Sequence, residues 1–214
     1  DLGNENLAAL EKGLPNLLRH VENVKGVFGL PCVVAVNRFP TDTDAELDLL
    51  TEKCQALGVN AVRSEVWGKG GEGGEALARE VVRLCDAPHA PFTPAYELNQ
   101  SLEEKIDAIV RRVYGGKGAE LTPPAKKQAA LLAKMGLSGL PVCMAKTQYS
   151  FSDDAALRGA PEGFTVTVRN LKASAGAGFI VALTGEMMTM PGLPKIPAAQ
   201  NIDMMDAGEI TGLF

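Results

Sequence analysis

Two aromatic residues stand where a flat ligand could be held. Phe39 follows the apolar run Val33-Val34-Ala35-Val36 and the pair Asn37-Arg38, and Pro40 comes next. Trp67, the only tryptophan, closes a second apolar run from Val59 to Val66. In open parallel sheets, ligands bind outside the carboxyl ends of the strands. Two rings at the ends of consecutive strands would wall a slot for a flat heterocycle, and adenine or a pterin offers the two π faces it needs. Offset stacking adds about 0.5–1.5 kcal/mol beyond area burial. The plainer alternative is that both rings only cap the core.

After Trp67 comes Gly68-Lys69-Gly70-Gly71-Glu72-Gly73-Gly74. A helix follows it, and helix N-termini attract anions through free N–H groups. The run is not G-x-x-x-x-G-K-[ST], since no Ser or Thr follows Lys69 to hold magnesium. A tight structural turn is the simpler reading. Lys69 could still face a carboxylate or phosphate as a point charge.

Two further stretches concentrate polar or unusual residues. Lys146-Thr147-Gln148-Tyr149-Ser150 follows an apolar run, and Asp153-Asp154 adds neighbouring carboxylates. A polar surface loop with a helix cap explains both. Met187 to Lys195 is apolar but broken by Pro191, Gly192 and Pro194. It reads as a tail packed over another lobe, from which Lys195 could reach a negative ligand. The sequence offers no plausible Ser/His/Asp set. Its only two histidines, His20 and His89, make a His-based zinc site improbable.

Composition narrows the class. The chain has 214 residues, of which 46% are hydrophobic, so it can build a core and is not a disordered segment. Its net charge of −5 argues against nucleic acid as the main partner. No apolar run approaches the roughly 18 residues needed to span a bilayer, and no signal pattern opens the chain. The cysteines Cys32, Cys54, Cys85 and Cys143 are far apart, each in an apolar stretch. They read as reduced core residues of a cytoplasmic protein.

The elements that must position these residues follow from pattern. Helical spacing covers residues 4–12, Gly13-Leu14-Pro15 interrupts it, and Pro15 suits the first turn of a new helix ending near Gly26. The run Cys32 to Val36 predicts a strand buried on both faces. Thr43-Asp44-Ala45-Glu46 and Ser101-Leu102-Glu103-Glu104 are capping boxes that open helices. A strand from Val59 to Val66 and a helix over Ala76 to Cys85 complete a strand–helix–strand–helix order over 31–86, which implies parallel crossovers. Ala87 to Pro94 reads as a loop, Gly115 to Gly118 as a break, and Thr122 as the cap of a helix running to about Met135. Strands are expected at Leu140–Ala145, Phe164–Arg169 and Phe179–Leu183, with another near Glu209–Phe214. The fold class is α/β: a parallel sheet with crossover helices over 1–159, then a small, mostly β lobe over 160–214.

A strand ending in Asn-basic, followed by a strand ending at a base-contacting loop, resembles the nucleobase side of P-loop NTPases. It departs at Pro40, where guanine-specific members carry Asp. A closer resemblance covers nearly the whole chain in order. Val34 to Thr43, Ser64 to Gly74, Leu140 to Ser150, Met188 to Lys195 and the closing Gly212-Leu213-Phe214 resemble formate–tetrahydrofolate ligase (formyltetrahydrofolate synthetase), in its C-terminal portion only. That family joins formate to tetrahydrofolate at the expense of ATP, with magnesium, through formyl phosphate. The resemblance implies that Phe39 and Trp67 stack on the pterin or the purine and that Pro40 lines the same slot. Asn37 and Lys69 also match the family, which does not fix their roles; a hydrogen bond to the heterocycle and an anion contact are the roles expected of them here. No role is assigned to Lys146, Gln148 or Lys195. The resemblance further implies a homotetramer and an N-terminal lobe that supplies the phosphate loop, so that this piece is inactive alone. A free-standing folate- or nucleotide-binding module, or an oligomerisation piece, is the alternative.

Overall fold

The computed structural model describes residues 3–185, 195–205 and 210–212. Helix α1 (Leu7–Glu22) opens the chain and strand β1 (Val34–Asn37) follows. Helix α2 (Asp44–Ala56) crosses over to β2 (Ala61–Ser64). The short turn α3 (Val66–Lys69) and the helix α4 (Glu75–Asp86) complete this half. Strand β1 pairs with β2 in parallel, Val34 opposite Ala61 and Asn37 opposite Ser64. The predicted parallel crossover is therefore present, in a two-stranded sheet.

The rest of the chain builds a larger sheet. Helix α5 (Leu102–Ile109), strand β3 (Gly118–Leu121), helix α6 (Pro123–Lys134), strand β4 (Val142–Ala145) and the hairpin β5 (Thr165–Ser174) and β6 (Phe179–Thr184) follow in order. Their strand order is β3-β5-β6-β4, with β3/β5 and β4/β6 parallel and β5/β6 antiparallel. The architecture is mixed α/β. Strands from both sides of residue 159 share this sheet, with the hairpin inserted between β3 and β4. A last small pair joins β7 (Asp203–Met204) to β8 (Ile210–Thr211). Half of the expected strand at 209–214, and the stretch 186–194, lie outside the described residues.

Helix starts follow local chemistry. Thr43 and Ser101 each accept from the backbone three residues on, and Glu46 and Glu104 reach back to the caps. Each box satisfies orphan N–H groups at the helix start. The break expected at Gly13-Leu14-Pro15 is absent, and α1 runs through Pro15. A proline inside a helix forfeits one backbone bond and crowds the preceding turn. Tertiary contacts offset that cost: Leu14 and Val21 are buried, and Glu11 meets Lys53 of α2 at 2.9 Å. The helix then widens into a π turn, Asn23–Val27, where the buried Asn23 amide donates to the Val113 carbonyl at 2.9 Å.

The core lies between the four-stranded sheet and helices α5 and α6. Leu102, Ile106, Ala125, Ala129 and Leu132 meet Val168, Leu171, Ile180 and Ala182. Along β5, Val166 and Val168 are buried, and then Leu171. Strict alternation would turn Asn170 inward, because side chains along a strand switch faces at each residue. A register shift between Val168 and Asn170 restores the apolar face.

Two burial expectations are corrected. Strand β1 is not covered on both faces: Val36 is buried, while Ala35 and Asn37 are exposed. The sheet there has two strands, and the side chains of Ala35 and Asn37 are left uncovered. All four cysteines are free, but only Cys54 is buried, and Cys85 and Cys143 are exposed. No helix among the described residues is long and apolar enough to cross a membrane.

Candidate functional site

Strands β1 and β2 end side by side, and the backbone N–H of Arg38 donates to the Ser64 carbonyl at 3.0 Å. That bond brings Phe39 and Trp67 together. Their ring centroids lie 6.5 Å apart at an interplanar angle of 47°. Trp67 is 70% exposed and Phe39 46% exposed, so neither ring caps a core. They wall a groove of about 340 Å³ with Arg38, Pro40, Glu65 and Lys69. The Phe39 turn is fixed locally, since its N–H donates to Asp42 Oδ2 at 2.8 Å.

The glycine-rich run fixes the other wall. The strand expected to reach Val66 stops at Ser64, and Trp67 sits in the short turn α3 instead. Glu65 is the hub. Its N–H donates to the Gly73 carbonyl at 3.0 Å, and its carbonyl accepts from Gly68 and Lys69 at 3.1 and 2.9 Å. A Cβ on Gly73 would lie 2.5 Å from the Glu65 carbonyl carbon and oxygen. Only glycine permits that approach. The run is thus a structural turn that presents Trp67 and Lys69.

Charge is concentrated in this groove. Lys69 Nζ donates to Glu65 Oε2 at 2.7 Å, and Arg38 Nη1 reaches Glu65 Oε1 at 3.5 Å. The Lys69 hydrogen bond, with the charges of Lys69, Arg38 and Arg63, holds the Glu65 carboxyl below the usual carboxylate range against a smaller effect of burial. Arg63 in turn pairs with Asp44 at 3.1 Å and Asp48 at 2.9 Å.

Of the residues singled out from the sequence, Phe39, Pro40, Trp67 and Lys69 meet in this groove. Asn37 does not line it. It borders a neighbouring cavity of about 420 Å³ with Leu10, Leu17, Thr41 and Asp42, on the other side of Phe39. Lys69 is engaged with a carboxylate of its own chain. Arg38 and Glu65 were missed. Arg38 directly precedes Phe39 at a strand end, and Glu65 stands four residues before Lys69, the spacing of a helical ion pair.

The other polar stretch is structural. Lys146 Nζ donates to the carbonyls of Thr147 and Ser150 and lies 5.4 Å from the Tyr114 ring centre and 5.6 Å from that of Phe151. Asp153 Oδ2 accepts from the Thr167 N–H, while Asp154 Oδ1 accepts from Ala156, so the two carboxylates work apart. Gln148 and Lys195 are exposed. A larger apolar cavity, about 600 Å³, lies elsewhere against Phe28, Phe92, Tyr96 and Tyr114. Among the described residues, no three His, Cys, Asp or Glu side chains gather to hold a metal.

A family model for formate–tetrahydrofolate ligase matches residues 1–214. The chain belongs to that family. Formate–tetrahydrofolate ligases use ATP, formate and tetrahydrofolate. The family is one of ligases in one-carbon metabolism.

Proposed function

We propose that this chain supplies the heterocycle-binding wall of a formate–tetrahydrofolate ligase, with Phe39 and Trp67 stacking on the ring of tetrahydrofolate or ATP. The observation that carries the reading is the 6.5 Å approach of two exposed aromatic side chains at neighbouring strand ends. A ring held on both faces needs about 7 Å between its walls, twice a carbon–carbon contact of about 3.5 Å. Trp67, which is exposed, would turn from its 47° tilt toward parallel with Phe39 and shift outward to admit it. Pro40 would close the slot. Asn37 would reach the ligand only beyond Phe39, from the neighbouring cavity.

The chemistry of phosphoryl transfer rests on positioning and charge neutralisation around phosphates. The sequence has no Walker-type loop, and its glycine-rich run is occupied in holding Glu65. We assign the phosphate and magnesium sites of the reaction to groups outside this sequence, in an N-terminal lobe. Exposed Phe92 and Leu98 support a surface that is covered in a larger assembly, such as a tetramer. The chain alone is therefore expected to show no formylation of tetrahydrofolate with ATP and formate.

Titration of Trp67 emission tests the ring site directly, because no other tryptophan contributes. Saturable change with tetrahydrofolate or ADP is expected, and Phe39→Ala should weaken it by about 1 kcal/mol. Emission indifferent to both ligands would remove the reading, as turnover by the chain alone would remove its phosphate half.

A further inference from the structure

The stacking walls do not choose between a pterin and a purine, because both are flat. The choice must come from the edge of the slot, where Glu65 is the only acidic residue lining the groove among the described residues. Each of its oxygens has one partner, Oε1 facing Arg38 and Oε2 facing Lys69. A carboxylate has about four lone-pair sites, so each oxygen keeps an acceptor position for a ligand. The Lys69 and Arg38 charges keep the group ionised and acceptor-only. The backbone that carries it is held at both its N–H and its carbonyl, so the carboxylate is presented from a fixed point.

Resting on the stacking reading above, we infer that Glu65 selects the slot's ligand by accepting two side-by-side N–H groups, the donor edge of a 2-amino-4-oxo-pyrimidine ring such as that of tetrahydrofolate. A pterin presents its ring N–H and its exocyclic amine in parallel, one for each carboxylate oxygen. Charge-assisted, bidentate hydrogen bonds of this kind are the strong ones. Adenine cannot match them. Its amine is flanked by ring nitrogens that are acceptors, so one Glu65 oxygen would face a lone pair. A site whose acceptors face the ligand favours one that brings matching donors over one that turns a lone pair toward them. Lys69 and Arg38 are positioning residues in this scheme: they orient the carboxylate and leave its ligand-facing lone pairs free.

The test measures binding of tetrahydrofolate, a 2-desamino folate analogue, GDP and ADP to the chain by calorimetry. Wild type, Glu65→Gln and Phe39→Ala are compared. Wild type should bind tetrahydrofolate at least about tenfold more tightly than the desamino analogue. Glu65→Gln should lose that preference while its affinity for ADP stays the same or rises, since Lys69 is set free. GDP carries the same donor edge on a purine. It should exceed ADP in wild type but not in Glu65→Gln, and stay weaker than tetrahydrofolate. Equal binding of tetrahydrofolate and the desamino analogue by wild type would overturn the inference without any variant having to fold. If Phe39→Ala weakens tetrahydrofolate binding and Glu65→Gln does not, the stacking slot stands and the role of Glu65 falls. If neither substitution matters, or wild type does not bind tetrahydrofolate, both fall.

Discussion

Lys69 Nζ lies 2.7 Å from Glu65 Oε2, so the one lysine of the glycine-rich run is committed to a carboxylate four residues earlier. Taken alone, the lysine invites a phosphate. Taken as a pair, it fixes the acidic group at the edge of the aromatic slot. Electrostatics and ligand choice are thus joined in one turn of chain.

The pair should be visible in an acid titration. The Glu65 carboxyl is held below the usual carboxylate range, chiefly by the Lys69 hydrogen bond. A depressed folded value means that its contribution is present above the unfolded carboxylate range and is lost as pH falls through the depressed value. Trp67 emission should therefore step at acidic pH. The step should move to higher pH in Lys69→Met and disappear in Glu65→Gln.

Gly73 should be intolerant of any side chain. Alanine there would meet the Glu65 carbonyl at 2.5 Å, where no flexible side chain can give way. Gly73→Ala should cost about 1–3 kcal/mol in urea denaturation, the range for forced overpacking, and should weaken ring binding as the turn shifts. Gly71→Ala, with nothing within 4 Å of its added carbon, should be nearly neutral in both measurements.

What the sequence made legible was mostly local. Thr43 and Ser101 form their capping boxes because every partner lies within three residues. Phe39, Pro40, Trp67 and Lys69 meet because consecutive parallel strands place their ends together. The errors arose where distant partners decide. Pro15 sits inside a helix because α1 is anchored on α2. Strand β3 carries no sequence signal of its own. It exists through pairing with β5, whose partner residues are 47 positions later, Gly118 opposite Thr165. The strand expected to reach Val66 stops at Ser64 because Gly73 takes the Glu65 N–H. Asn37 was grouped with Phe39 by closeness in sequence, yet it is the last residue of β1 and borders the neighbouring cavity rather than the groove.

Lys105 gives a prediction in the core. It is fully buried on α5, and its Nζ donates to the carbonyls of Ser138 at 2.5 Å and Leu140 at 3.0 Å. Lys105→Met should leave both carbonyls without this donor and cost about 1–3 kcal/mol. Burial pushes the lysine's pKa down, so at alkaline pH the unfolded state binds more protons than the folded state. Between the depressed value and the ordinary lysine value this residue makes stability rise with pH. Denaturation of wild type and Lys105→Met across that range should show the gap between them widening as pH increases.

Tyr114 predicts the opposite slope. Its phenol is pushed up to about 12, first by burial and then by the nearby Cys143. Here the folded state holds its proton after the unfolded state has released it. The contribution is complete below the unfolded value of about 10 and is lost as pH rises through the folded one. Two pH units correspond to about 2–3 kcal/mol, so Tyr114→Phe, which cannot ionise, should not show the stability loss that wild type shows across this span. Ultraviolet absorbance gives an independent reading: a late tyrosinate phase near pH 12 in wild type should be missing from Tyr114→Phe. A wild-type titration complete by pH 11 would mean that the phenol is not held in this apolar setting between Lys146 and Phe151.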